Sequence, residues 1–269
     1  MARIVILFHP LERQGPEFWS IGLFANAWKQ SGHEVLVASD FDNLPPGDLG
    51  FMHIDCSQIP PEYARAARNR YAHVINGRAL DITKRKISRQ LLAKGDEWNG
   101  PVVIKSDLNY FGLPEKRLRD PHSFANRAME MIPENYRVLS DFGEVADEEW
   151  DNPEQVIERF LPEREGENFA VRTWFFLGDR ERCRRFVSKR MIVKNRDIID
   201  SYPAQVPDVI RAERERIGID YGKFDFVDYH GRPVLLDANK TPGAPQGNTL
   251  NLDVYADLAK GIEPLLADL

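Results

Sequence analysis

Cysteine is scarce and long apolar runs are missing, and each shortage narrows what the chain can be. Cys56 and Cys183 are its two cysteines in 269 residues. They form neither a metal-binding spacing nor a disulfide framework, so a reduced, cytoplasmic setting is expected. No apolar stretch approaches the roughly 18 residues of a membrane-spanning helix. The opening MARIVILFHP is too short for a signal peptide and reads as a first strand. Repeats and low-complexity tracts are absent. Acidic residues outnumber basic ones, 42 to 36, for a net charge of −6. That balance argues against a general nucleic-acid binder. No glycine-rich fingerprint follows the first strand, which excludes a dinucleotide site of the usual kind.

What is present is ordinary for a folded chain: 42% apolar and 29% charged residues. The length allows a good core and roughly two or three compact subdomains. Residues 3–8 read as a buried strand. Residues 17–31 carry Phe18, Ile21, Phe24, Ala25 and Trp28 at helical spacing, with Gly32 as a C-cap. Strands follow at 34–39, 50–54 and 71–75, with a helix at PPEYARAARNR opened by proline. This alternation predicts an open, mostly parallel α/β sheet over residues 1–80. His9, His53, Asp55 and Arg78 fall at or near strand ends, where ligands of such sheets collect.

Asp81 is expected to begin a polar helix, DITKRKISRQLLAK, that buries Ile82, Ile87, Leu91 and Leu92. An apolar strand then ends in Lys105, and the loop SDLNYFGLPE follows with one glycine. A helix is expected near Ser123–Met131, ended by Pro133. Residues 169–177 form a strand, turn at 178–179 and return through Arg184–Arg190. Arg172 sits there in apolar company, and a strand arginine so placed needs an anionic partner. Arg180, Arg182, Arg184, Arg185, Lys189, Arg190, Lys194 and Arg196 concentrate positive charge in an otherwise acidic chain. Helices are expected at 207–218 and from Asn248 to Leu269.

The stretch 221–243, YGKFDFVDYHGRPVLLDANKTPG, organises the rest. Two alternating runs flank the turn signal His230-Gly231, so this is a β-hairpin. Asp237 and Asn239 are two apart and share a face. Asp225 can fold back beside them. Three oxygen side chains on one face suit a hard cation such as Mg²⁺, with phosphates as its remaining ligands.

Asp225, then Asp237-x-Asn239, then Pro242-Gly243, resembles the metal-binding hairpin of the ATP-grasp superfamily. That superfamily includes D-alanine–D-alanine ligase, glutathione synthetase and ligases that add glutamate to ribosomal protein tails. Its usual form has Glu where this chain has Asp237. The resemblance covers roughly residues 81–269. It implies an α/β and α+β architecture: the ATP-grasp fold with an N-terminal Rossmann-like pre-ATP-grasp domain. The implied boundaries are 1–80 for that domain, 81–157 for a central subdomain and 158–269 for a C-terminal subdomain with the metal site.

Implied cofactors are ATP and Mg²⁺ or Mn²⁺, the metal on Asp225, Asp237 and Asn239. Lys84 is implied to reach a phosphate, with Arg85 and Lys86 as alternatives in register. Lys105 matches the strand lysine that contacts the α- and β-phosphates. Glu158 would meet the adenine amino group, and the backbone at Leu161 the adenine edge. Glu165 would bind the ribose, with Glu163 and Glu167 in competition. Arg172 would bind the terminal phosphate, joined by Lys189 or Arg190, so Arg172 and Lys189 are the catalytic candidates. The family's glycine/serine-rich loop is replaced here by residues 106–115, where Ser106, Asn109, Tyr110 and the backbone near Gly112 are lid candidates. Lys240 and Thr241 adjoin the metal residues. The implied activity is an ATP-dependent carboxylate–amine ligase working through an acyl phosphate. The alternatives are a phosphotransferase and a non-catalytic nucleotide-binding protein. Small-molecule or short-peptide substrates are implied, with no nucleic acid or membrane partner; a homodimer is common in the family.

Overall fold

Strand β1 (Arg3–Leu7) buries Ile4, Val5, Ile6 and Leu7 in succession. A strand buried on both faces needs cover on both. Helix α1 (Ser20–Gln30) supplies one cover with Ile21, Phe24 and Trp28, and helix α2 (Pro61–Arg70) the other with Ala64 and Ala67. A computed structural model describes residues 1–119, 136–245 and 251–267. The first sheet is four-stranded and parallel, in the order β2 (Glu34–Ala38), β1, β3 (Leu49–Met52), β4 (His73–Ile75).

The end of the chain returns to this unit. Helix Leu252–Ala259 lies on α1, and Trp28 Nε1 donates to the Ala259 carbonyl at 2.8 Å. The expected helix over 248–269 therefore comes in shorter pieces, with a 3₁₀ turn at Lys260–Ile262; its start at Asn248 lies outside the described residues. The helix expected near Ser123–Met131 also lies outside them.

Two antiparallel sheets build the remainder. The smaller has the order β6 (Arg137–Leu139), β5 (Val102–Ser106), β7 (Gln155–Arg159). The larger runs β11 (Ile198–Pro203), β10 (Arg180–Ser188), β9 (Asn168–Leu177), β12 (Tyr221–Tyr229), β13 (Arg232–Asn239), with β8 (Glu163–Glu165) also paired to β9. The expected hairpin is β12–β13. Its turn residues His230 and Gly231 have φ of 52° and 77°, the left-handed pair that matches strand twist in a two-residue connection. The back of the larger sheet packs Trp174, Phe176, Phe224 and Phe226 against helix Asp208–Ile217, capped by Gly218 at φ 76°. Among the described residues no helix is long and apolar enough to cross a membrane.

The expected helix from Asp81 to Lys94 is a correction. Only Lys84–Ile87 is helical (α3). Ser88 turns extended and its hydroxyl accepts from the Gln90 amide at 3.1 Å. Residues 90–92 then run along β7, with Leu92 N donating to Ile157 O at 2.9 Å. Ile87 belongs to the core behind the larger sheet, whereas Leu92 belongs to the core of the smaller one. One continuous helix cannot deliver both residues to two different cores.

Candidate active site

A cavity of about 370 Å³ lies between the two antiparallel sheets. One end is apolar, with Val103, Leu161, Val171, Met191, Ile192 and Val193 in its walls. The other end is charged. Lys84, Lys105, Lys223, Asp225 and Asp237 converge there, beside Thr173 and Tyr136.

Strand pairing explains the convergence. Asp225 lies directly opposite Asp237, and Lys223 opposite Asn239. On the other flank Asp225 pairs with Thr173, whose hydroxyl donates to Asp225 Oδ1 at 2.7 Å. Two-residue alternation thus puts Lys223, Asp225, Asp237, Asn239 and Thr173 on one face. The chain's own lysines hold the acids. Lys84, 3% exposed, contacts Asp237 Oδ1 at 2.6 Å and also Asn109 Oδ1. Lys223 lies 3.0 Å from Asp225 Oδ2. Burial pushes the Asp237 carboxyl up, but Lys84, Lys105 and Lys223 outweigh it and hold it below the ordinary carboxylate value. The Lys223 ammonium is raised, chiefly by Asp225.

Lys105, the last residue but one of β5, pairs with buried Glu158, Nζ to Oε2 2.7 Å. The other Glu158 oxygen is buried without a hydrogen-bond partner. Of the three cations at 84–86, Lys84 lines the cavity. Arg85 instead turns to Asp107 and to the Gln155 carbonyl, and Lys86 is exposed. Asn109 ties the following loop to the hairpin by donating to Ala238 O at 2.8 Å. In that loop Tyr110 and Phe111 have φ of 48° and 59°, a left-handed pair that non-glycine residues seldom adopt.

Several expected residues stand elsewhere. Arg172 lies on the opposite face of β9 from Thr173. It does have the anionic partner its surroundings demand, but that partner is Glu163, within 3.1 Å, on β8. Arg185 shares the same carboxylate at 2.6 Å, so neither Arg172 nor Glu163 turns into the cleft. Glu165 is exposed and bonded to Arg185 and Tyr202, and Glu167 is exposed. Lys189 is exposed beyond the end of β10 and does not line the cavity; Arg190 pairs with Asp197 at 3.2 Å. Lys194, from the same segment, does line it. Lys223 and Thr173 are not among the candidates the sequence offers, although Lys223 stands two residues before Asp225 and alternation alone puts them on one face.

Among the N-terminal candidates, His53 is a core residue, set among Phe8, Trp19 and Tyr221. Its burial pushes the imidazole down to about 3. His9 packs edge-on to Tyr63, and Arg78 is exposed near Asp220. Lys240 is buried with its ammonium on the Ala79 carbonyl at 3.1 Å. Asp55 and Thr241 line a second cavity that adjoins the charged end of the first.

Two carboxylates and one amide oxygen are the right donors for Mg²⁺, which commonly takes one or two protein carboxylates and completes its shell with water and substrate phosphates. Among the described residues no group of three or more His, Cys, Asp or Glu is placed to hold a metal. Asp225, Asp237 and Asn239 are thus donors of the kind a metal with water and phosphate ligands would use, and Asn239 Oδ1 also accepts from the Thr241 amide at 2.8 Å.

No protein-family model matches the chain, and no curated protein sequence matches it. Solved structures do. A RimK-domain ATP-grasp protein from Sphaerobacter thermophilus superposes with a TM-score of 0.52 at 17% identity, over 97% of this chain and 100% of that one. The macrocyclase MdnC from Microcystis aeruginosa, bound with precursor peptide MdnA, gives 0.50 at 13% identity, over 99% and 100%. The chain has the ATP-grasp fold.

Proposed function

We propose that the chain is an ATP-dependent carboxylate–amine ligase. The supporting observation is the cleft itself: an apolar slot between two sheets that opens onto Lys84, Lys105, Lys223 and the facing pair Asp225/Asp237. A slot of this kind takes a planar base, and three lysines beside two carboxylates take a polyphosphate with its metal. In this reading residues 81–157 and 158–269 are the two jaws, and residues 1–80 a pre-ATP-grasp domain.

Adenine enters between β5 and the segment Met191–Val193, with its edge read by the backbone at Leu161 and its amino group directed at Glu158. Lys105 lets go of one Glu158 oxygen to meet the phosphates. Asp225, Asp237 and Asn239 would hold the metal, which when bound would screen the phosphate charge and polarise the terminal phosphoryl group. Lys84 and Lys223, which hold the two acids at 2.6 and 3.0 Å, would turn their ammonium groups toward the charge that develops on transfer. A substrate carboxylate attacks the terminal phosphorus, ADP departs, and an acyl phosphate remains. An amine then displaces phosphate to form an amide. Positioning and charge carry both steps, so no protein nucleophile is needed.

Calorimetric titration with a non-hydrolysable ATP analogue, with and without Mg²⁺, tests the site. Wild type is expected to bind in a magnesium-dependent way. Asp237→Ala and Lys105→Ala are each expected to weaken binding at least about tenfold, or about 1.4 kcal/mol. Well-folded protein that binds no nucleotide would refute the proposal. ADP release that needs a carboxylate but no amine would convert it to a phosphotransferase.

A further inference from the structure

The second cavity, about 210 Å³, shares Tyr136, Lys223 and Asp237 with the cleft and extends from them to the first sheet. Lys223 and Asp237, of opposite charge, stand together at the cleft end. Asp55 stands at the other, beside Ser57 and Thr241. Asp55 Oδ1 accepts from the Thr241 hydroxyl at 2.7 Å, and Arg117 Nη2 lies 3.0 Å from Oδ2. A carboxylate has about four acceptor positions, so Asp55 retains room for a further donor.

The wall behind it is acidic. Arg117 is already shared with Glu12 at 2.6 Å. Glu115 Oε1 takes the Ser57 amide at 2.6 Å, and Glu115 Oε2 is buried with no hydrogen-bond partner. Three carboxylates, Glu12, Asp55 and Glu115, thus face two cations, Arg117 and Lys240, leaving a net −1. Such a wall repels a second carboxylate and attracts a cation. The volume is below the roughly 300 Å³ at which drug-sized pockets begin, so it accommodates the head of a small molecule.

We infer that this cavity takes the amine substrate as a primary ammonium, held against Asp55. The inference rests on the ligase reading and names the class of its second substrate. Asp55 also performs chemistry there. An ammonium has no lone pair; it gives one proton to the Asp55 carboxylate and becomes the free amine. The amine nitrogen forms a bond to the acyl carbon, the bond from that carbon to the phosphate oxygen breaks, and phosphate leaves with the electron pair. The remaining extra proton on nitrogen goes to the departing phosphate. Burial raises the Asp55 carboxyl to about 6, against the lowering effects of Thr241 and Arg117. A base there is near neutrality, where proton transfer is most effective. The groups facing it are Glu12, Glu115, Arg117, Thr241, Cys56, whose thiol burial pushes up to about 12, and Lys240, lowered by burial to about 8.

The test is thermal unfolding of the full chain with a non-hydrolysable ATP analogue and Mg²⁺. The probes are the amides of the standard amino acids, each beside its N-acetylated counterpart, which has no ammonium. At least one amide is expected to raise Tm by about 2 °C or more at millimolar concentration, and its N-acetyl form not to. Asp55→Asn is expected to abolish the rise. On wild-type protein the rise is expected at pH about 7.5 and to vanish at pH about 5, as Asp55 protonates; this arm decides the matter if the variant does not fold. No response to any amide, an equal response to the acetylated forms, or a response that survives in Asp55→Asn or at the lower pH overturns the inference. The shift produced by the nucleotide alone reports on the ligase reading. Its presence without an amide response removes only the amine site.

Discussion

Replacing Lys84 with methionine tests the charged end of the cleft through stability, with no substrate needed. Lys84 is 3% exposed, and its ammonium is shared between Asp237 at 2.6 Å and Asn109. Methionine preserves most of the apolar stem and removes the charge. Removing one partner of a fully buried ion pair costs about 3–5 kcal/mol. Asp237, however, is 36% exposed, and Lys105 and Lys223 still act on it. Solvent and these two lysines reduce the loss to about 2 kcal/mol. The sign with pH follows from Asp237. Its folded value lies below the ordinary 3.8, so its contribution is complete above the unfolded value and is lost as pH falls through the folded one. Urea unfolding of wild type and Lys84→Met should therefore show a constant gap from pH about 5 to about 8, narrowing only below about 4. A loss under about 0.5 kcal/mol, or a gap indifferent to pH down to about 3, would show that Lys84 does not hold Asp237 as described.

Three further outcomes are expected. Arg172→Ala should cost about 1–2 kcal/mol, because Glu163 keeps Arg185 but loses a charged partner; nucleotide Kd should stay within about twofold by calorimetry, and a tenfold loss would return Arg172 to the phosphate site. Gly178→Ala should cost more than about 3 kcal/mol in urea unfolding, since Gly178 has φ of 55° and an added Cβ would lie 1.9 Å from the Gly261 carbonyl oxygen; unchanged stability would contradict that close approach. Asp55→Asn should gain stability relative to wild type as pH rises from about 4 to about 7. The folded Asp55 carboxyl, raised by burial to about 6, binds a proton that the unfolded chain has released, so ionisation penalises the native wild type alone. A relative stability flat across that range would show that Asp55 is not desolvated as described.

Local pattern alone determined a good deal. Alternation and a His-Gly turn place Asp225, Asp237 and Asn239 on one hairpin face. Strand–helix alternation gives the parallel sheet of residues 1–80, and an apolar strand ending in Lys105 puts a lysine at the cleft. Each depends on neighbours in sequence or on the fixed geometry of a two-residue turn. Tertiary structure decided the rest, because alternation says that two residues share a face but not which face meets the cleft. Arg172 and Thr173 are adjacent and necessarily opposed; only the packing of Trp174, Phe224 and Phe226 against helix Asp208–Ile217 turned Arg172 away from the cavity. Its partner Glu163 was legible as an acid, but the pairing of β8 with β9 made the contact. Residues 81–94 had the composition of a helix and were divided by two cores that claim Ile87 and Leu92 separately. The Asp55–Thr241 contact joins residues 186 positions apart. No local signal encodes that distance; it exists because the first sheet and the hairpin's end pack together.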